Sequence, residues 1–198
     1  MELESERLYL RMLTLEDACD LYEIYRHPSV VRWLRFPRHV DVEETLSGIA
    51  ACLQACAQTS QPAPFVIVEK QSERLIGTID LHHPSSVHTM EIGYVLHPHW
   101  QGQGYMSEAL ACMLDYGFET LGLHRMNALC AVNNTASIAL LHRFRFQREG
   151  QLAKRAVLGD GRSHALALYS LMRENWRNRY DKTAGSQIRP SSGGGNLL

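Results

Sequence analysis

One segment constrains this chain more than any other: Leu96-His97-Pro98-His99-Trp100-Gln101-Gly102-Gln103-Gly104-Tyr105-Met106-Ser107-Glu108-Ala109-Leu110. An apolar strand runs into a tight glycine loop, and the loop opens directly into a helix. Such a junction presents unpaired backbone N–H groups at the positive end of a helix dipole, and glycine, having no Cβ, lets a phosphate come close. It points to a layered α/β protein with an anion site at the end of that strand; a plain tight turn is the alternative.

The flanking sequence supplies the layers. Leu8, Leu10 and Met12 alternate with Tyr9 and Arg11 as in a strand, and Thr14 opens a helical pattern through Leu15, Ala18, Leu21, Tyr22 and Tyr25 that stops before Pro28. Asp41 followed by Glu44 resembles a capping box ahead of the stripe Val42, Leu46, Ile49, Ala50, Leu53. Residues 65–69, 74–82 and 89–96 read as a three-stranded meander, broken at Pro84-Ser85-Ser86. A helix over 105–121, a strand over 126–132, a short helix over 136–144 and a hairpin of 146–158 with 164–171 about Gly159-Asp160-Gly161 complete the order. No long linker or repeat interrupts it, so one domain over 1–180 is expected, with 181–198, which lacks apolar periodicity, as a flexible tail.

Charge and cysteine content narrow the function. Lys plus Arg number 20 and Asp plus Glu 21, for a net charge of −1, so no overall positive field recruits nucleic acid or an anionic membrane. The acidic start Met1-Glu2-Leu3-Glu4-Ser5-Glu6 is unlike a basic leader, and no run of about 18 apolar residues occurs. A cytoplasmic protein is expected. Five cysteines without C-x-x-C spacing indicate neither a disulfide framework nor zinc. The histidines at 82, 83 and 88, or at 97 and 99, lack an obvious acidic or cysteine ligand set, and no metal is expected.

Three phosphate chemistries compete at the glycine loop. A nucleoside-triphosphate loop needs Lys-Ser or Lys-Thr after the glycines, which is missing. A dinucleotide fold needs an acidic residue at the end of the next strand, and residues 126–134 contain no Asp or Glu. The third is coenzyme A. Gln101-Gly102-Gln103-Gly104-Tyr105-Met106 resembles the Q/R-x-x-G-x-G/A acetyl-coenzyme A motif of the GNAT N-acetyltransferases. Glu6-Arg7-Leu8, Leu13-Thr14-Leu15-Glu16-Asp17-Ala18, Ile76-Gly77, Glu91-Ile92-Gly93-Tyr94, Asn134-Thr135-Ala136-Ser137, Phe146, Glu149-Gly150 and Tyr169-Ser170-Leu171 extend the likeness to the RimJ/RimL branch over residues 5–178. The chain departs from the pattern at Met106, where Gly or Ala is preferred, and at Arg145, where the branch has Gly.

The resemblance implies a single α/β domain with a mixed, largely antiparallel central sheet flanked by helices, splayed between residues 89–96 and 126–132 with pantetheine in the gap. It implies acetyl-CoA held by Leu96, Gln101, Gly102, Gln103, Gly104, Tyr105, Met106, Asn134 and Ser137. Acetyl transfer to an amine requires a free lone pair and the loss of a proton. Glu91, on an apolar strand with Gly93 and Val95 on its face, is a base if its surroundings favour the neutral form, or a structural ion pair if it is partnered. By the resemblance, a glutamate on this strand activates the amine and the serine matching Ser137 protonates the departing thiolate. A helix-capping role is the alternative for Ser137. The tyrosine that other members use is replaced by Leu141, and the late-strand glutamate proposed as base in RimL corresponds to Ala156. Cys130 reads as inert core rather than an acyl carrier.

The acceptor is read from residues around 26–41, where Arg26, Arg32, Arg35 and Arg38 mix with Trp33, Leu34 and Phe36, and Asp41 is the acid. This favours a protein or peptide α-amine of the ribosomal-protein type over a polycation. A small-molecule amine (polyamine, aminoglycoside or amino acid) and a non-catalytic acyl-CoA sensor are the alternatives, and a homodimer stays open.

Overall fold

In the computed structural model, which describes residues 1–59, 61–86 and 88–180, the Leu8/Leu10/Met12 alternation is a strand, β2 (Leu8–Met12), preceded by a short antiparallel partner, β1 (Glu2–Glu4). Thr14 and Asp17 form a capping box, but the first turn is 3-10 and the α-helix α1 spans Ala18–Tyr25. Helix α1 stops before Pro28 as its pattern indicates, and Pro28 then starts a separate single turn, α2 (Pro28–Val31), consistent with its preference for the first helical position. Helix α3 (Val42–Thr59) begins where Asp41 Oδ1 accepts from the Glu44 N–H at 2.8 Å.

The meander is β3 (Phe65–Glu69), β4 (Arg74–Ser86) and β5 (Thr89–Leu96). The expected break at Pro84 is not a strand end, because β4 continues to Ser86 with an irregular register after His82. Helix α4 (Tyr105–Asp115) closes with a π turn, Tyr116–Thr120, and β6 (Arg125–Ala131), α5 (Thr135–Arg143), β7 (Gln147–Val157) and β8 (Ser163–Met172) follow. A last helix that the periodicity did not announce, α6 (Arg173–Tyr180), is held by Trp176, which is buried and donates to Asp115 Oδ1 at 3.0 Å. The proposed tail, 181–198, lies outside the described residues.

The eight strands lie in the order β1-β2-β3-β4-β5-β6-β8-β7. Every neighbouring pair is antiparallel except β5 with β6. Strand β3 is buried along its whole length because both faces are covered. Phe65 and Ile67 join the core shared with α4, while Val66 and Val68 join the core shared with α1 and α3. The family-like residues late in the chain serve this sheet: Glu149 accepts from Arg125 Nη2 at 2.6 Å and from Ser170 Oγ at 2.5 Å, tying β7 to β6 and β8.

The feature that makes a site is the single parallel pair. Strands β5 and β6 match only over Thr89, Met90 and Glu91 against Arg125, Met126 and Asn127. Beyond that, β5 stays in register with β4 as far as Leu96, and β6 stays with β8 as far as Ala131. Each half of the sheet follows its own partner, and a wedge opens between them.

Arg145 occupies a position that suits glycine. Helix α5 ends in a Schellman arrangement: Phe146 N–H reaches Leu141 O at 3.0 Å and Arg145 N–H reaches His142 O at 2.9 Å, with Phe146 and Leu141 both buried in the main core. This puts Arg145 at φ 62°. A left-handed non-glycine residue costs roughly 1–2 kcal/mol, and the extra chain entropy of glycine returns about 0.5–1 kcal/mol of that. Arg145→Gly is therefore expected to stabilise the protein by up to about 1 kcal/mol, a rise of roughly 2–4 °C in Tm. Thermal unfolding followed by circular dichroism checks this, and a lower Tm would count against the strain.

Candidate active site

The loop before α4 is built for close approach by an anion. Gly102 and Gly104 adopt φ 77° and 87°, which aims successive N–H groups outward. A Cβ on Gly102 would meet nothing within 4 Å, and one on Gly104 would sit 3.4 Å from Arg7 Nη2, so the glycines answer to backbone conformation and leave the space above the loop open. Gln101 Nε2 donates to Leu96 O at 2.9 Å and pins the loop to the end of β5. Glu108, in the first turn of α4, accepts from Ser5 Oγ at 2.6 Å, from Arg7 N at 2.7 Å and from Arg7 Nε at 2.8 Å. Burial opposes its charge, but these bonds hold its carboxyl below the usual range. The helix terminus is thereby fixed by the connection between β1 and β2, with its positive end at the mouth of a cavity.

A cavity of about 570 Å³ lies over this terminus. Leu96, Gln101, Gly102, Gly104, Tyr105, Met106, Asn134 and Ser137 line it, so the structure gathers these expected cofactor residues into one place. Gln103 is the exception: its side chain donates to His99 O at 2.7 Å, and the residue is not part of the lining. Met106 packs partly against the main core, which explains how a long side chain is accommodated there. Arg143, which the sequence reading did not single out, also lines the cavity and donates to Ser107 Oγ at 3.2 Å. The glycine cradle, the helix terminus and this volume fit the phosphates and pantetheine arm of coenzyme A.

A second cavity, of about 580 Å³, opens on the other side of the wedge. Tyr94, Ser137, Asn134, Trp33, Leu34 and Val95 belong to both cavities, so the two meet between β5 and the start of α5. At that junction Tyr94 Oη and Ser137 Oγ lie 2.7 Å apart. Asn134 is the cap of α5, its Oδ1 accepting from Ser137 N at 3.2 Å, which leaves the Ser137 hydroxyl to Tyr94 rather than to helix capping. Burial pushes the Tyr94 phenol well above its ordinary value, so it stays a proton donor at neutral pH. Cys130 lines the second cavity, and burial raises its thiol too. Leu141 is fully buried and does not reach the junction cavities.

Glu91 lines the second cavity as part of a chain of charges. Asp80 Oδ2 lies 2.7 Å from His82 Nδ1, and His82 Nε2 lies 3.4 Å from Glu91 Oε1. Burial opposes the His82 cation, but hydrogen bonds and charge from Asp80 and Glu91 carry its pKa up to about 9. The register that sets His82 opposite Glu91 also sets Asp80 opposite Gly93, where a Cβ would come within 2.8 Å of Asp80 Oδ1 and 2.9 Å of His82 Cε1. Gly93 thus vacates the space these two side chains use. Glu91 is ion-paired, the structural alternative of the sequence reading, and it also lines the cavity, so a proton-accepting role for it rests on its position rather than on surroundings that favour its neutral form. Among the described residues no group of three or more His, Cys, Asp or Glu is placed to hold a metal ion.

The arginine-rich stretch is only partly at the site. Arg35 lines the second cavity with Trp33, Leu34, Phe36 and His39, whereas Arg26 pairs with Glu23 at 3.1 Å and Arg32 lies 4.4 Å over the Trp33 ring. Gly159, in the β7–β8 turn, donates to Leu34 O at 2.8 Å and anchors this stretch over the cavity.

An open sheet with a wedge between two parallel strands, and a glycine loop feeding a helix at its mouth, defines an acyl-coenzyme A transferase architecture. The sequence matches the Acetyltransferase (GNAT) domain over residues 7–147, and the chain belongs to that family. It is an N-acetyltransferase of that family. Among its relatives, the uncharacterized N-acetyltransferase YoaA of Bacillus subtilis is 32% identical over 173 residues, covering 86% of this chain and 96% of that protein. The [ribosomal protein uS5]-alanine N-acetyltransferase of Escherichia coli is 32% identical over 57% of this chain and 58% of its own length. The spermidine N(1)-acetyltransferase of Vibrio cholerae is 27% identical over 57% and 65%. RimL, a ribosomal L7/L12 alpha-N-protein acetyltransferase solved in complex with coenzyme A, shares the fold with a TM-score of 0.77 at 22% identity, covering 87% of this chain and 98% of that one. Among the described residues no helix is long and apolar enough to cross a membrane.

Proposed function

We propose that this N-acetyltransferase acts on the N-terminal α-amine of a protein or peptide, of the ribosomal-protein type. The observation that carries the reading is the charge balance of the second cavity, where the carboxylates of Asp80 and Glu91 face the His82 cation and Arg35 stands in the lining. That composition offers little to a polycation and suits a singly charged amine. An α-amine has a reference pKa of about 8 against about 10.4 for lysine, so a useful fraction is already neutral near pH 7. The likeness to the uS5-alanine enzyme supports the same choice.

In this reading the N–H groups of residues 102–106, with Leu96, Asn134 and Arg143, hold acetyl-CoA, which supplies the activated acetyl group. Glu91 accepts the proton that the amine must lose. Ser137 Oγ, hydrogen-bonded to Tyr94, donates a proton on the thiol side of the wedge. The second reading is a small-molecule amine, favoured by the likeness to the spermidine enzyme. Thiol release measured side by side with N-terminal peptides, spermidine, aminoglycosides and free amino acids decides between them. Turnover on peptides is expected, and strong activity on spermidine alone would overturn the choice.

A further inference from the structure

The second cavity does not end at Glu91. It continues between α1, α3 and β4 into a region lined by Leu13, Leu21, Tyr25, Phe36, Ile49 and Cys52. Asp80 marks the boundary, because its charge is felt by Tyr25 and Cys52 on one side while its carboxylate bonds His82 on the other. The polar groups of this inner region are already matched with one another. His39 Nδ1 and Thr45 Oγ1 lie 2.8 Å apart, and the Tyr25 hydroxyl bonds the Thr78 side chain. The one buried side-chain nitrogen or oxygen without a partner among the described residues is Arg173 Nε, which is not in this lining. An apolar substituent entering here would meet mostly apolar side chains, whereas a polar or charged one would give up water for a lining whose polar groups are largely engaged with one another.

One further residue keeps the volume open. Gly48 stands inside the long helix α3, where alanine is the better helix former, and no close packing requires it: a Cβ there would find only His39 Cε1, at 3.9 Å. It lines the cavity at an exposed edge beside His39, and a large side chain at this position would lean over that edge and restrict what enters from it.

We infer that this inner region is a side pocket for an apolar substituent next to the reacting amine, so that the preferred acceptor is an α-amine whose own residue carries a leucine- or phenylalanine-like side chain. The inference rests on the α-amine reading and adds the identity of the first side chain to it. Its test uses the purified 198-residue chain, acetyl-CoA and thiol release, with peptides identical except for a first residue of Gly, Ser, Asp, Lys, Leu or Phe, together with 3-methylbutylamine and 2-phenylethylamine. Leu and Phe peptides are expected to exceed Gly, Ser and Asp peptides in kcat/KM by about 10-fold or more, the scale on which an apolar pocket discriminates. In Gly48→Leu the ratio of Leu-peptide to Gly-peptide kcat/KM is expected to fall by about 10-fold. Use of the two apolar amines without use of any peptide would remove the peptide acceptor and keep the pocket. Gly, Ser, Asp or Lys peptides matching or surpassing Leu and Phe would overturn the pocket and leave the peptide acceptor standing.

Discussion

Gly104→Val is expected to abolish the thermal stabilisation that coenzyme A gives the protein. Ligand at about a hundred times its Kd stabilises by about 2.7 kcal/mol, which for a chain of this size is a rise of roughly 5–10 °C in Tm. Gly104 holds φ 87° at the N-cap of α4, a conformation essentially closed to a β-branched residue. Valine must pull the loop out of this shape, and the N–H groups of residues 102–106 then no longer converge on one anion. General backbone strain is separated from loss of the cradle by Gly122→Val. Gly122 also has a positive φ, 68°, and no neighbour within 4 Å, but it lies at the far end of the helical segment. That variant is expected to melt lower and still respond to coenzyme A. A normal coenzyme A response from Gly104→Val would show that the cradle is not where the phosphates bind.

Glu91→Gln is expected to lower kcat by about 10²-fold or more while leaving coenzyme A affinity nearly intact, the signature of a lost proton acceptor rather than a lost binding contact. The pH profile carries the sharper information. An amine attacks only in its neutral form, so wild-type activity rises with pH as the acceptor amine loses its proton. His82 stays cationic until about pH 9. Since its folded pKa lies above the ordinary value of about 6.5, the stability it contributes is complete below that value and fades as the pH climbs through 9. In the glutamine variant the profile is expected to change shape, because the proton acceptor is gone and His82 keeps only Asp80 of the two carboxylates that hold it cationic. An unchanged profile would take Glu91 out of the proton path.

The cofactor side of this site was legible in the residues because it is local. Two glycines, a helix-forming run and the strand before them are contiguous, and each forms for reasons contained within a few residues: positive φ at Gly102 and Gly104, N–H groups with no partner one turn into α4, and period-two alternation over 89–96. The departure at Arg145 was equally local, and the helix end it sits on confirms why glycine is the usual choice.

The acceptor side was not legible, for a physical reason. His82 faces Glu91, and Asp80 faces Gly93, only through a hairpin whose register is irregular between His82 and Ser86, so counting along the chain cannot match the strands. Tyr94 and Ser137 meet across the wedge from elements 43 positions apart, and the roles of Asn134 as cap and Ser137 as partner of Tyr94 depend on that meeting. The arginines around 26–41 looked alike in sequence, yet packing turned Arg26 to Glu23 and Arg32 onto Trp33 and kept Arg35 in the lining. The sequence by itself determined the layers and the glycine loop, since these follow from short-range periodicity and backbone conformation, and it pointed to the type of reaction through its resemblance to a known family. Tertiary structure alone decided which charges share the acceptor cavity and how far its apolar end extends, because those depend on strand register and on side chains brought together from distant parts of the chain.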